Sequence, residues 1–194
     1  MYYQVFKLKD QNSNRPLAII QTVKSMLEVE QLDHFGLFPA YFGMATNELY
    51  WVVMREDLTI NLSTSLEQSG ISVISVHNML PTVRPTTHAP PTRDGLFVFR
   101  WFSIDNKDVD EIARLSETAW QTFESGFDTE VQGLFAEADR DAEQGTMLLM
   151  TWYQGFDVWL DSRTPDTSAR ENFLKRHALM REATPIATHR LTMD

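Results

Sequence analysis

Extended and helical hydrophobic patterns alternate along the first 85 residues of the chain. Aromatic and β-branched runs favour strands, whereas apolar residues spaced three and four apart favour amphipathic helices. The two middle strands are separated by the short polar connection 45–48, which is typical of antiparallel neighbours. The predicted elements are a strand at 2–8, a helix at 16–27, strands at 34–44 and 49–54, a helix at 58–69 and a strand at 71–76.

The same order of elements recurs in the second half of the chain. An apolar run, LFVFRWFS, is followed by a strongly periodic helix, two extended runs, helical segments and a last extended run. Pro185 is expected to end the last helix before the final strand begins. The predicted elements are a strand at 95–104, a helix at 109–124, strands at 131–138 and 147–153, a short helix at 156–163, a helix at 171–182 and a strand at 186–191.

This repeated order predicts an α+β protein built from two tandem ferredoxin-like βαββαβ modules with antiparallel sheets packed face to face. The segment 81–94, PTVRPTTHAPPTRD, is rich in proline and shows no periodicity, as in a stiff linker. We therefore expect a first module at 1–85, a proline-rich linker at 86–94 and a second module at 95–194.

The amino-acid composition disfavours some classes of partner and excludes sites that depend on cysteine. The net charge of −10 and the isoelectric point of about 4.9 disfavour nucleic acid and anionic membranes as partners. The chain has no cysteine, which excludes disulfides, thiolate catalysis and cysteine-ligated metals. No secretory signal and no apolar run long enough to span a bilayer is visible, so we expect a cytoplasmic protein.

No short sequence motif indicates a particular reaction. The sequence has no dinucleotide-binding, P-loop, nucleophile-elbow or zincin motif, and no histidine pair at metal-ligand spacing. We therefore expect no metal site and no metal or redox cofactor in the purified protein. Stoichiometric iron or zinc, or a Soret band, would contradict this expectation.

Several tryptophan-anchored segments resemble the NIPSNAP-like proteins of the dimeric α/β barrel (ferredoxin-like) superfamily. They are FRWF at 99–102, AWQTFE at 119–124, GLF at 133–135, TWYQGFDVWLDSR at 151–163 and the late FLKRH. The resemblance implies that the two sheets form a dimeric α/β barrel whose interior can hold a small ligand. Fold relatives include cofactor-free monooxygenases, haem-degrading enzymes and isomerases, and the fold does not choose among these activities.

Arg100 is the first candidate for chemistry. Strand alternation places it with Val98 and Phe102 on one face, while Phe99 and Trp101 lie on the other. An arginine among apolar strand residues rarely lies buried without a partner, so Arg100 is a candidate to bind a carboxylate or an enolate in the barrel. The alternative is a structural ion pair with Glu137 or with another carboxylate across the sheet.

Trp120 and Glu124 lie one helical turn apart, so the indole is a candidate ligand contact and the carboxylate a candidate base. The alternative is a core tryptophan beside a solvated glutamate. Trp152 and Tyr153 must face opposite ways on a strand, and Tyr153 is predicted to donate a hydrogen bond to a ligand or to lie at the barrel rim. Arg163 is expected to stabilise the end of the short helix or, alternatively, to bind a ligand carboxylate.

His77 and His189 each lie at or just after the final strand of a module. Symmetric pairing of the modules would bring them together at a ligand site, whereas single histidines on strands are usually structural.

Three functions are consistent with these sequence features. The first is a cofactor-free oxygenase or isomerase acting on a small apolar or aromatic molecule, in a protein that could form homo-oligomers. The alternatives are a non-catalytic small-ligand binding protein and a protein-interaction module. A cavity lined by Arg100 and aromatics would favour the first two, and a barrel filled by side chains would favour the third.

Overall fold

The computed structural model describes residues 1–192. The strands are β1 (Tyr2–Asp10), β2 (Asp33–Phe42), β3 (Glu48–Arg55), β4 (Ile71–Arg84), β5 (Leu96–Asp105), β6 (Thr129–Glu137), β7 (Gln144–Tyr153) and β8 (Met180–Thr188). The helices are α1 (Leu17–Glu30), α2 (Leu62–Gln68), α3 (Val109–Gly126), α4 (Phe156–Asp161) and α5 (Thr167–His177). The order of elements predicted from the sequence is confirmed.

Within residues 1–192 the eight strands close into one antiparallel barrel in the order β1-β3-β2-β8-β5-β7-β6-β4. Each half contributes four neighbouring strands, and two seams join the halves. At one seam β2 pairs with β8 through Ala40 and Phe42, and at the other β4 pairs with β6. The predicted fold class is therefore confirmed, while the boundaries 1–85 and 95–194 remain a prediction about modules.

The interior of the barrel is filled by side chains. Aromatic rings from both halves meet there, with the Phe38 ring 5.3 Å from that of Phe97 and the Tyr50 ring stacked 4.8 Å from that of Phe99. An eight-stranded barrel is just wide enough for its inward side chains to fill it. This interior is an aromatic core, and the expectation that it could hold a ligand is not met.

Further apolar layers lie outside the barrel, beneath the helices. Ile19 and Val23 of α1 pack on the first sheet with Trp51, which is fully buried. On the second sheet, Ile112 and Trp120 of α3 contact the outward side chains of β5, β6 and β7. Helix α5 packs beside α3, so the second sheet is covered by two helices.

Two boundaries differ from those predicted. The strand predicted at 71–76 continues to Arg84, because Met79–Arg84 pairs with β6, with a register shift after Pro81 that accommodates the proline. The last helix ends at His177 rather than at 182, because Met180–Pro185 is drawn into β8 by pairing with β5.

The linker packs against the barrel. Its His88 lies at hydrogen-bond distance from Tyr3, with Nδ1 and the phenolic oxygen 3.0 Å apart. Arg93 stacks on the Trp152 ring at 4.6 Å and pairs with Glu130. The segment thus contacts both halves of the chain, and its stiffness stays a prediction.

Among residues 1–192, the five helices include none with the length and hydropathy that a membrane crossing requires. This agrees with the sequence, in which no long apolar run occurs.

Acidification is expected to destabilise the protein through His34. Burial, together with the nearby Arg190 guanidinium, lowers the pKa of His34 from 6.5 to about 4, and its Nδ1 is buried without a partner. The unfolded chain binds this proton below about pH 6.5 and the folded protein only near pH 4, so stability is lost as the pH falls through this window.

Wild type should lose stability between about pH 7 and pH 5, and we expect His34→Gln to reduce this loss in the free energy of unfolding by about 1 kcal/mol. The reduction is modest because the partial exposure of His34 screens the effect. Urea unfolding at the two pH values measures it, with His177→Asn as an exposed control. An identical pH dependence in His34→Gln and wild type would refute the prediction.

Candidate functional site

A cavity of about 470 Å³ lies outside the barrel, between the second sheet and the helices that cover it. Its floor is formed by the outward side chains of β5, β6, β7 and β8. Its roof comes from α3, α5 and the segment 162–165 that follows α4. Most of the lining is apolar or aromatic, and its charged side chains are the four arginines Arg100, Arg163, Arg170 and Arg176.

Arg176 is the most unusual of these side chains. Its helix, α5, holds it with only 7% of its surface exposed, and the guanidinium lies over the Phe102 and Phe173 rings at 5.4 and 4.8 Å. Its Nη1 donates to the Ser116 hydroxyl at 3.1 Å, whereas its Nε is buried and has no partner. A guanidinium has five N–H donors, so most of its hydrogen-bonding capacity is unused.

The electrostatics of this guanidinium are unfavourable without a ligand. Burial, and then the positive charge of Arg100, lower the pKa of Arg176 from 12.5 to about 9. The side chain is therefore still charged at neutral pH, but at a cost in free energy, because an uncompensated buried charge is destabilising.

Arg100 lies close enough to Arg176 for its charge to act on that guanidinium, and it has no carboxylate partner among residues 1–192. Burial lowers its pKa, while a hydrogen bond with Tyr153 raises it and the charge of Arg163 lowers it further. The ion pairs formed among residues 1–192 include neither Arg100 nor Arg176. Two cations thus face a cavity whose lining contains no acidic side chain.

Two predictions about the surroundings of Arg100 are wrong. It was expected inside the barrel, but Phe97, Phe99 and Trp101 point inward and Arg100 faces the helices. Its alternative partner, Glu137, instead bonds to His77, with Oε1 2.8 Å from Nδ1. The side chains of β5 alternate as predicted. The cavity, however, lies on the outer face of the sheet beneath the helices, and not inside the barrel where it was expected.

Aromatic side chains form the apolar walls of the cavity. Trp120 and Phe123 come from α3, Phe173 from α5 and Tyr153 from the end of β7. Trp120 is 1% exposed, and the Arg84 guanidinium lies 5.2 Å from its ring. Trp120 is therefore a core residue that also borders the cavity, and its contact with a ligand stays a prediction. Tyr153 and Trp152 face opposite sides, as predicted, and Tyr153 faces the cavity.

The opening of the cavity carries exposed cationic and imidazole groups. Arg163, Arg170 and His177 line it and are exposed. The Arg163 guanidinium lies 5.8 Å from the Trp159 ring of α4. The cavity is thus positively charged from its buried end to its opening, in a protein whose net charge is −10.

The other predicted site residues lie away from this cavity lining. The Glu124 carboxylate accepts from Arg84 at 2.6 Å and from the Val131 backbone N–H at 2.7 Å, which joins α3 to β4 and β6. His77 contacts Glu137 and the Trp101 ring, whereas the His189 ring packs on Tyr41. The structure therefore gives the two histidines different partners and does not form the predicted pair.

Sequence reasoning missed Arg170, Arg176 and His177 as site residues. A signal was available for two of them, because Arg170, Phe173 and His177 recur at spacings of three and four and share a face of α5. Nothing in the sequence indicated that Arg176 is buried, because charged residues at helix ends are usually solvated.

A metal site is not formed by the side chains in the part of the chain that the structure describes, where no three histidine, aspartate or glutamate residues converge. The chemistry that the cavity offers is that of guanidinium groups in an apolar aromatic setting. Such a site suits an anionic or enolisable organic molecule, since charge-assisted hydrogen bonds are strongest where water is excluded.

Comparison by sequence finds no match, either to a family model or to a curated protein. The resemblance to the NIPSNAP-like proteins therefore remains a hypothesis.

Solved structures share the fold over nearly the whole chain. An anthrone oxidase-like protein superposes with a TM-score of 0.64 at 10% identity, covering 98% of this chain and 92% of its own. A proposed chlorite dismutase gives 0.62 at 14% identity, covering 98% and 94%. A proposed monooxygenase from Lactobacillus acidophilus gives 0.57 at 8% identity, covering 96% and 92%. At these identities the likeness shows the dimeric α/β barrel fold alone.

Proposed function

We propose that this protein binds a small apolar or aromatic molecule bearing an acid or enolisable group, in the cavity between the second sheet and helices α3 and α5. The carrying observation is Arg176, a buried guanidinium with an unbonded Nε and with no carboxylate partner among residues 1–192. Retaining such a charge destabilises the fold. An anionic ligand that hydrogen-bonds to Arg176 and Arg100 offsets that cost.

We further propose cofactor-free oxygenation or isomerisation as the chemistry of the bound molecule. Removal of a proton next to a carbonyl group produces an enolate, and the guanidinium groups of Arg100 and Arg176 would stabilise its oxygen. The imidazole of His177 lines the same cavity and is the candidate base. The oxidase and monooxygenase assignments of proteins with this fold support the proposal by analogy.

The alternative is ligand binding without turnover. The sequence analysis expected the ligand inside the barrel, which is instead packed with side chains. The cavity outside the barrel suits catalysis and binding without turnover equally well. An interaction module alone is less consistent with the structure, because it gives no reason to keep two unpaired arginines beside an apolar cavity.

Binding is tested with 2-naphthoate, an aromatic monoacid, by isothermal titration and thermal shift. We expect saturable binding that raises the melting temperature, whereas the uncharged 2-methylnaphthalene binds much more weakly. Absence of any 2-naphthoate binding in the millimolar range would refute the proposed site.

Turnover is tested with anthrone, an enolisable aromatic ketone. Each anthrone that reacts with one O₂ yields anthraquinone and water, so oxygen uptake and quinone absorbance should rise together and above the spontaneous rate. Binding of 2-naphthoate without accelerated anthrone oxidation would favour the non-catalytic alternative for this substrate class.

Arg100→Met is expected to fold close to wild type and to lose most 2-naphthoate binding. Methionine fills similar space, and Arg100 has no carboxylate partner that would be stranded by its loss. Thermal melts of wild type and variant, with and without 2-naphthoate, measure both effects. A variant that melts far below wild type without ligand would instead assign Arg100 a structural role.

A further inference from the structure

Ser116 of helix α3 contacts the buried guanidinium of the cavity without belonging to the cavity lining. Its side chain is fully buried, with 0% of its surface exposed. The hydroxyl donates to the Ile112 carbonyl oxygen at 2.7 Å and accepts from Nη1 of Arg176 at 3.1 Å. A hydroxyl has a single proton, so the bond to Ile112 leaves its lone pairs for the guanidinium. Ser116 is thus aligned as an acceptor for Arg176.

Contacts from three elements hold the guanidinium of Arg176 in place. Helix α3 supplies Ser116, β5 supplies the Phe102 ring at 5.4 Å, and α5 itself supplies the Phe173 ring at 4.8 Å. The bond to Ser116 uses Nη1, which lies on the other side of the planar group from Nε. The edge formed by Nε and Nη2 is therefore not the one that faces Ser116, and its Nε is buried without a partner.

The same edge binds carboxylates elsewhere in this protein. Arg114 binds both carboxylate oxygens of Glu111 through Nε and Nη2, at 2.7 and 2.6 Å. Arg181 uses the same two nitrogens to bind Asp105, at 2.9 and 2.6 Å. Such side-on pairs are strong because both N–H groups point the same way. Arg176 has no acidic partner of this kind in the part of the chain that the structure describes.

We infer that Ser116 is a positioning residue, which holds the guanidinium of Arg176 so that its Nε–Nη2 edge binds a carboxylate of the ligand side-on. This inference rests on the proposed function, since it assumes that the cavity binds an organic acid. Ser116 acts through Arg176 and does not touch the ligand. Without the hydroxyl, the guanidinium can turn on its flexible side chain, and part of the ligand's binding energy is spent on restoring its orientation.

The affinity for 2-naphthoate tests this role. We expect Ser116→Ala to weaken 2-naphthoate binding about tenfold, measured by isothermal titration, since alanine removes the acceptor and keeps the helix. Thr118→Ala is the matched control. Its hydroxyl makes the same kind of bond to a helix carbonyl, donating to that of Arg114 at 2.9 Å, but it is exposed and touches no guanidinium of the cavity. This control should change the affinity by less than about twofold.

A spectroscopic signal separates positioning from a general change in the shape of the cavity. The Nε–H signal of Arg176 is observed by NMR in isotope-labelled protein and is identified by its loss in Arg176→Met. In wild type, 2-naphthoate should move this proton signal to lower field, because the N–H then donates to a carboxylate. In Ser116→Ala saturated with 2-naphthoate, we expect a smaller shift or a broadened signal.

The outcomes distinguish this inference from the proposed function. Ser116→Ala with the affinity of wild type would overturn the positioning role and leave the anion site standing. An Nε–H signal that does not move when wild type binds 2-naphthoate would show that another edge is used, and would overturn it too. So would a weakened Ser116→Ala whose saturated signal shifts as in wild type. Absence of 2-naphthoate binding to wild type would refute the proposed function itself.

Discussion

Trp120→Ala is expected to destabilise the protein by about 3–5 kcal/mol, the usual cost of cutting a buried large aromatic side chain to alanine. Trp120 is 1% exposed and packs with Ile112, Val131 and Leu134 in the layer between α3 and the second sheet. The change would also remove the contact with the Arg84 guanidinium. Since Trp120 borders a cavity, the truncated site would enlarge that cavity rather than collapse.

Chemical denaturation of wild type and Trp120→Ala measures this loss. Phe42→Ala is the control, because Phe42 is 69% exposed and its truncation should change the free energy of unfolding by less than about 1 kcal/mol. A loss below about 1 kcal/mol in Trp120→Ala would contradict the assignment of the indole to the core.

The order of elements could be predicted because local and tertiary preferences agree along most of the chain. The β-branched strand that begins at Ile71 and the strongly amphipathic α3 are examples in which sequence pattern and final structure coincide. A fold can be recognised from its sequence when local propensity, hydrophobic pattern and tertiary packing all favour the same structure.

The boundary between α5 and β8 could not be predicted from local signals. Residues 178–182 extend the helical pattern, and Pro185 is a typical helix stop. Pairing of Met180 with Ile104 and of Pro185 with Arg100 outweighs that preference. The strand gains backbone hydrogen bonds to β5 that only the assembled barrel supplies.

Some residues that line the candidate cavity could be predicted from the sequence, and the others were missed for a physical reason. Strand alternation places Arg100 on the face opposite Phe99 and Trp101, and Tyr153 was singled out on β7. Which side of the sheet holds a cavity depends on how tightly each layer packs, and single-strand patterns do not encode this. Burial of Arg176 likewise arises from the docking of α5 onto α3 and cannot be derived from its position near a helix end.

Arg176→Met is expected to stabilise the unliganded protein and to weaken 2-naphthoate binding about 100-fold. The depressed pKa of Arg176, about 9 rather than 12.5, shows that the folded protein holds this charge at a cost. Methionine keeps contact with Phe102 and Phe173 without a charge to desolvate, so a net gain of about 1–3 kcal/mol is expected after the loss of the cation–π contacts.

The loss of affinity has the same origin as the gain in stability. A ligand carboxylate in the cavity would lose charge-assisted hydrogen bonds from Arg176, and removing one partner of such a buried pair costs about 2–5 kcal/mol. Unfolding in urea and titration with 2-naphthoate measure the two effects on the same variant. Arg181→Met, which removes an exposed arginine paired with Asp105, should change neither by more than about 1 kcal/mol.

Opposite signs for stability and binding are the signature of a residue that is kept for its ligand. A strongly destabilised Arg176→Met protein would instead show that the guanidinium holds α5 on α3 through Ser116. The main reason to expect an anionic ligand in the cavity would then be removed. Unchanged 2-naphthoate affinity in a stable variant would contradict the site just as directly. A stabilised variant with weakened binding is the outcome that a buried cation without an ion-pair partner predicts, because Ser116 and the two rings compensate its charge less fully than an anionic ligand would.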